Sequence, residues 1–501
     1  MEYLQRERRR AACGLVAAAY TNSTGAYRTS FYGEAVNIQF EYCGNDQCLL
    51  DSLAPLEGIN GTCKLGRLSA YHVKATTADQ VAATLKFVQH GIRLSMKNTG
   101  HDYFGRSTTA NSLALWAHNI QDLEFANTFT AKGCPAKLQN VRIMGAGIEA
   151  GQAEAFFAEQ NMHVTVGAVA SVGIAGGFGQ GGGHGPLGPS YGLMVDQAIE
   201  FDVVTADGRL RMINECTDTD LFWAMRSGGG GNYAVLLRYK FQLHPAVPMN
   251  VFAFSAEFAA PTNISESPIH RDIVTAIAKN QTTWAQNKVA GYNFFLPNSI
   301  TTLQILPSTN TEILKTLTAQ YRNLLQNYPG VNVTANEYAS LDTYPAFSDF
   351  VLPFLATNGP LGVGITEASR LIPRSNFETA EKIDELVDAF LYGLQTSLME
   401  GAGLGTGSGQ IYSTGPSNNF DLSNKTGVNP AWRGSLWHVI HGGIFTNQDS
   451  PEERASIQQT AGHAIQKFKD LTPSGGCYMN EGDVLENWQH TFFGSKYDRL
   501  L

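Results

Sequence analysis

The chain has 501 residues, 43% hydrophobic and 16% charged: long enough for two or three domains and apolar enough to exclude global disorder. Lys and Arg number 35 against 44 Asp and Glu, a net charge of −9, which argues against work on nucleic-acid backbones or anionic membranes. No segment approaches the ~20 consecutive apolar residues of a membrane-spanning helix.

A basic segment to Arg10 precedes ten small or apolar residues, Ala11 to Tyr20. Together with N-x-[ST] sequons at Asn22, Asn60, Asn263, Asn280, Asn332 and Asn424, it leans towards a secretory route, although the leader is atypical. Cys13, Cys43, Cys48 and Cys63 fall early. One or two disulfides are expected there, including Cys43 and Cys48, the alternative being unpaired thiols in an intracellular enzyme. With no C-x-x-C pair, structural zinc is not expected.

From residue 68 the pattern becomes βα-like. Tyr71–Lys74 reads as a strand, and Thr77 with Gln80 three residues on opens a helix through His90. Strands follow at Ile92–Lys97, Ser112–Ala117, Val141–Met144 and Met162–Val166, with a helix at Gln152–Gln160. Many of the 51 glycines sit in two tracts, Val172–Gly192 and Ser227–Gly231, separated by a strand at Ala198–Thr205. Beyond Pro245 the expected strands are Val251–Phe258, Tyr292–Leu296, Thr302–Leu306, Gln410–Thr414 and Leu436–Phe445. The expected helices there are Glu312–Gln326, Thr379–Leu398 and Pro451–Leu471. This half reads as an α+β domain, a sheet backed by helices.

Most short motifs fail on context. GAGIEA (Gly145–Ala150) has the dinucleotide spacing, but no acidic residue follows the next strand until Asp196. GPSYG (Gly188–Gly192) lies between prolines that disrupt any nucleophile elbow. HEXXH is absent, and His438 and His441 in WHVIH lie on a strand whose alternation sends them to opposite faces. No metal site is expected. The informative stretch is NTGHDYFGRS, Asn98 to Ser107, a strand-to-loop turn with free backbone N–H groups suited to a pyrophosphate and a histidine at its rim.

Four motifs occur in order: K-N-T-G-H-D…G-R-S, V-G…G-G-G-H-G, Y-G-L-x-V-D…V-T-A-D-G and Y-x-N-E…F-F-G-x-x-Y-D-R-L. In them the chain resembles the FAD-linked oxidoreductases with the vanillyl-alcohol oxidase/p-cresol methylhydroxylase fold, in particular the fungal members of the berberine bridge enzyme-like branch. The resemblance implies an α+β fold with an N-terminal Cys-containing segment (1–67) and a two-part FAD-binding domain. The latter comprises residues 68–245 and a C-terminal segment, 471–501, that returns to it. Residues 246–470 would form a substrate domain, an antiparallel sheet backed by helices.

By the same resemblance His101 bonds the 8α-methyl of FAD. Lys97, Asn98, Thr99, Gly100, Asp102, Tyr103, Gly105, Arg106 and Ser107 cradle its pyrophosphate, and Gly167, Ala168, Gly173, Gly177 and Gly183 lie along it. Val169 stands where many relatives carry a second, cysteinyl flavin link, so a single link is expected. Val172 matches a position near the ring that governs oxygen access and favours an oxidase. Asn480 lies beside the flavin, and Tyr478, Tyr412 and His441 are candidate proton acceptors, Tyr478 first. The family usually continues past Y-D-R-L, whereas this chain stops at Leu501.

The implied activity is oxidation of a small molecule by O2 with release of H2O2, in fungal natural-product synthesis. A secreted oligosaccharide oxidase and a degenerate flavin-binding protein are the alternatives. No nucleic-acid or membrane partner is expected, and the chain is expected to be a monomer.

Overall fold

The computed structural model describes residues 29–30, 32, 65–354, 363–399, 408–416, 424–446 and 449–501. Cys13, Cys43, Cys48 and Cys63, with the disulfides expected among them, and the sequons at Asn22 and Asn60 lie outside the described residues.

Strands β1 (Tyr71–Lys74), β2 (Leu94–Lys97) and β3 (Leu113–Trp116) form a parallel sheet in the order β1-β3-β2. The helix Ala78–Val88 makes the crossover from β1 to β2. Thr77 caps it by accepting from the Gln80 N–H, while the Gln80 side chain reaches back to the Thr76 N–H, one residue further than a capping box requires.

Beside this sheet stand β4 (Leu123–Thr130), β5 (Lys137–Gly145), the two-residue β6 (Met162–His163), β7 (Ala198–Val204), β8 (Leu210–Asn214), β9 (Val235–Gln242) and β10 (His244–Pro245). Five of them make an antiparallel sheet in the order β4-β5-β9-β7-β8, and β6 pairs with β10. The strand expected over Met162–Val166 therefore stops at His163. Val164, Thr165 and Val166 are buried but run on towards the glycine tract without a ladder partner.

The second half contains β11 (Met249–Glu257), β12 (Ala290–Leu296), β13 (Ser299–Pro307), β14 (Asn332–Leu341), β15 (Val363–Pro373), β16 (Ser408–Tyr412) and β17 (Ser435–Thr446). Their order is β14-β11-β13-β12-β16-β17-β15, antiparallel throughout. Alternation divides each strand between two cores. Phe252 and Phe254 pack with Ile277 and Trp284 of the helix Pro268–Gln286, Leu314 and Tyr321 of Thr311–Gln326, and Phe390 of Ala380–Met399. Val251, Ala253, Tyr292, Leu303 and Ile305 face the other way, against Met144, Ile174, Leu187 and Tyr239 of the first half. The helical stretch expected at Pro451–Leu471 is divided at Ile465 into Pro451–Ala464 and Gln466–Leu471.

Two features tie the halves. Arg433 grips Asp196 through two bonds of 2.7 Å in a largely buried fork. The chain end returns to the first half, where the Tyr233 hydroxyl donates to the Leu500 carbonyl at 2.9 Å and Arg499 pairs with Asp220 at 2.7 Å. A disulfide joins Cys134, in the β4–β5 turn, to Cys216, just after β8, across 82 residues. The spacing of these cysteines does not foretell the bond, which forms because the β4–β5 turn lies against β7 and β8, where Asn214 donates to the Lys132 carbonyl at 3.0 Å and the Lys132 N–H donates to Glu200 at 2.6 Å. Replacing both with serine should lower unfolding stability by roughly 2–4 kcal/mol in equilibrium denaturation.

Glu154, on the helix Ala150–Ala158, accepts a 2.9 Å hydrogen bond from Ser348 of the second half. Burial pushes its carboxyl up to about 8, with Asp349 adding and Ser348 opposing. The folded protein thus keeps a proton that the unfolded chain releases above its ordinary pKa, so this stability is complete at low pH and is lost as pH rises towards 8. Between pH 5 and 8, wild type should lose roughly 2–4 kcal/mol more unfolding free energy than Glu154→Gln, read from parallel denaturant titrations.

Candidate functional site

The loop after β2 lies in a cradle made by the first glycine tract and the returning C-terminal segment. Gly100 and Gly105 adopt φ of 93° and 69°, a left-handed backbone that other residues resist. Between them Asp102 fixes the loop by holding Arg106, whose Nε donates at 2.8 Å. Arg106 also reaches the Met479 carbonyl at 3.4 Å and Asn480 Oδ1 at 3.2 Å. Lys97 is buried and donates to the Tyr32 carbonyl at 2.6 Å, and Thr99 is buried beside it.

Asn98 bonds the Ala146 carbonyl and fills space that only glycine leaves free. A Cβ on Gly173 or Gly176 would stand 2.9 or 2.4 Å from its amide nitrogen. His101 Nε2 lies 2.9 Å from Ser171 Oγ at the rim. Across from it Gly177 is exposed, with nothing within 4 Å of an added Cβ, although Asn480 Nδ2 donates to its carbonyl at 3.2 Å. A ledge open at Gly177, an unpartnered buried Asn98 Oδ1 and a half-buried histidine at the edge fit a large phosphate-bearing cofactor.

Facing this cradle is one face of the seven-stranded sheet. Register places Tyr292, Tyr412 and His438 in a row across β12, β16 and β17. Glu367 of β15 shares that face, four pairings along from Leu371, which stands opposite His438. The first half answers with His184, the histidine of G-G-G-H-G, and the C-terminal segment with Tyr478 and Glu481. His184 Nε2 lies 3.2 Å from Glu481 Oε2, its Nδ1 lies 2.8 Å from Thr414 Oγ1, and His438 Nδ1 lies 3.5 Å from the same Glu481 oxygen. The His184 ring stacks on Trp432 at 5.5 Å and meets Tyr478 edge-on at 5.1 Å.

Burial and charge set these groups apart. Burial opposes ionisation of Glu481, but the charge and hydrogen bond of His184, with His438, more than offset it and hold the carboxyl below its usual range. Burial, with Glu481 nearby, pushes Glu367 well above the carboxylate range. Burial brings His438 down to about 3, so it is neutral. Burial likewise raises both phenols. For Tyr478 it outweighs the bonds donated to its oxygen by the Gly183 N–H at 3.2 Å and Asn480 Nδ2 at 2.8 Å.

The FAD-binding domain family matches residues 69–214. The VAO-type flavoprotein oxidase VAO615 of Thermothelomyces thermophilus is 30% identical over 477 residues, covering 90% of this chain and 76% of the relative. The chain belongs to the VAO-type FAD-linked oxidoreductases. The FAD-linked oxidoreductase OXR2 of Pyricularia oryzae is 29% identical, over 98% of this chain and 82% of that protein. The crystal structure of the VAO-type flavoprotein MtVAO615 from Myceliophthora thermophila C1 superposes with a TM-score of 0.82 at 27% identity, covering 98% of this chain and 85% of that one.

Within this VAO-type frame, the loop Lys97–Ser107, Val172, Gly173, Gly177, Gly183 and Asn480 fall along the cradle. Gly167 and Ala168 line a small cavity with Tyr292, Tyr344 and Phe347, and a Cβ on Gly167 would stand 3.3 Å from the Phe178 ring of the glycine tract. Tyr478 and Tyr412 lie at the facing cluster. His441 does not. An odd step along β17 turns its ring to the helix side, where it packs against Phe390 and Phe468 with Nδ1 3.3 Å from the Ser408 carbonyl. His438, the other histidine of WHVIH, reaches the site instead.

Glu481 and Glu367 were not singled out in the sequence. Glu481 sits inside the quoted Y-x-N-E motif, so its neighbours could have marked it, whereas Glu367 has no local signature. The cradle geometry makes one expectation specific. Gly177→Ala should fold with stability within about 1 kcal/mol of wild type, because an added Cβ meets no described protein atom within 4 Å, yet carry less flavin per chain by absorbance.

Proposed function

We propose that the protein is an oxidase that takes hydride from a substrate carbon bearing an oxygen, a nitrogen or an activated ring, using FAD joined covalently to His101 alone. The observation that carries this is the place of His101 at the open rim of the glycine cradle, with Ser171 held to its Nε2 at 2.9 Å. Valine at 169 leaves no thiol for a second link at that position. Bound FAD would accept the hydride and pass the electrons to O2, releasing H2O2.

The chain's own residues bind and orient. Lys97–Ser107, Gly167, Ala168, Gly173, Gly177, Gly183 and Asn480 would hold the cofactor, and Val172 would stand where oxygen approaches. Tyr478 and Tyr412 present phenols to the substrate side. Because burial keeps both neutral, either can take a proton only with a positive group beside it. Valine at 169, where the resemblance places the cysteinyl link, favours a natural-product substrate over an oligosaccharide. The Cys134–Cys216 disulfide supports a secretory route.

The first test is acid precipitation. Flavin absorbance should stay with the washed wild-type polypeptide and leave with the supernatant in His101→Ala. Colour lost from wild type would rule out the covalent link. Peroxide release should follow apolar alcohols rather than oligosaccharides, and the opposite preference would favour the carbohydrate oxidase.

A further inference from the structure

We propose that His184, His438 and Glu481 form a binding site for one divalent transition-metal ion of the zinc type. The three residues come from distant parts of the chain: the glycine tract, β17 and the C-terminal segment. The fold nevertheless gathers one ligand atom from each within 4.8 Å of the others. Ligand atoms around a tetrahedral ion at ~2.1 Å lie ~3.4 Å apart. The observed separations, 3.2 Å from His184 Nε2 and 3.5 Å from His438 Nδ1 to the same Glu481 oxygen, bracket that value.

An ordinary imidazole–carboxylate pair would account for His184 and Glu481 but not for His438. The His438 side chain is 1% exposed and neither ring nitrogen has a hydrogen-bond partner among the described residues, an arrangement that leaves buried polar atoms uncompensated unless something binds there. The surroundings are those of a ligand set. Thr414 Oγ1, itself buried, lies 2.8 Å from His184 Nδ1. By accepting from that nitrogen it would fix the tautomer whose Nε2 lone pair points at Glu481. Two imidazoles and a carboxylate suit zinc, iron(II) or cobalt(II) rather than magnesium or calcium.

Three protein ligands leave a fourth position open. The aromatic rings around the triad are those of Trp432, Tyr412 and Tyr478. Resting on the oxidase reading, that position would take the oxygen of a substrate alcohol. The ion would then supply the positive charge beside the phenols that proton removal requires.

The test uses the whole flavin-loaded protein, stripped by a chelating resin, dialysed against zinc and assayed for metal and for acid-stable flavin in the same sample. About one zinc per chain is expected. His438→Ala and Glu481→Gln should each lose at least tenfold in affinity, while His490→Ala, at an exposed histidine, retains it. Should the ligand variants misfold, Thr414→Val should still weaken binding by roughly 10–100-fold. Folded wild type without stoichiometric zinc, or ligand variants that bind as well as wild type, would overturn the site. Zinc bound to protein without acid-stable flavin would instead count against the His101 linkage and leave the metal site standing.

Discussion

The structure depends on a single constraint: both faces of the seven-stranded sheet must be covered, by unlike partners. One face meets helices through large side chains, Phe252, Phe254, Trp284 and Tyr321. The other meets a glycine tract and the returning C-terminal segment. Where the covering layer is glycine, backbone can come within reach of the sheet. A Cβ at Gly188 would stand 1.9 Å from the carbonyl of Thr414, just beyond β16. The functional cleft lies where that close approach ends.

That constraint explains why the chemistry-bearing groups sit at the seam. Hydrophobic packing on the helix side leaves no room for a titratable group except as a satisfied or buried neutral one, as with His441. On the seam side, polar groups from three stretches of chain partner each other. Arg433 holds Asp196, Tyr478 receives bonds from Gly183 and Asn480, and Glu481 stands between His184 and His438. Apart from the Asn480–Tyr478 bond, these contacts join residues that only the closed fold brings together.

Much of the architecture was legible beforehand. β1 matches its expected span, and the expected β7, β12, β13 and β17 differ from the observed strands by a few residues at their ends, because apolar alternation marks a half-buried strand directly. β4, β14 and the helix Pro268–Gln286 were among the elements that escaped notice, together with β8, β9 and β15. The first two are sheet edges with mostly exposed or half-buried residues, and the helix carries buried polar side chains, His270 and Gln281, that blur its apolar stripe.

The sequence by itself determined the family and the FAD-binding domain, because these are carried by contiguous motifs whose backbone geometry demands glycine at set spacings. The tertiary structure alone decided which histidine of WHVIH faces the cleft, where Glu367 and Glu481 lie, and that Cys134 meets Cys216. These outcomes depend on strand register and on how distant turns and segments pack against the sheets. Both are set by long-range packing between segments up to about 300 residues apart, such as Gly183 and Tyr478, and no local pattern encodes them.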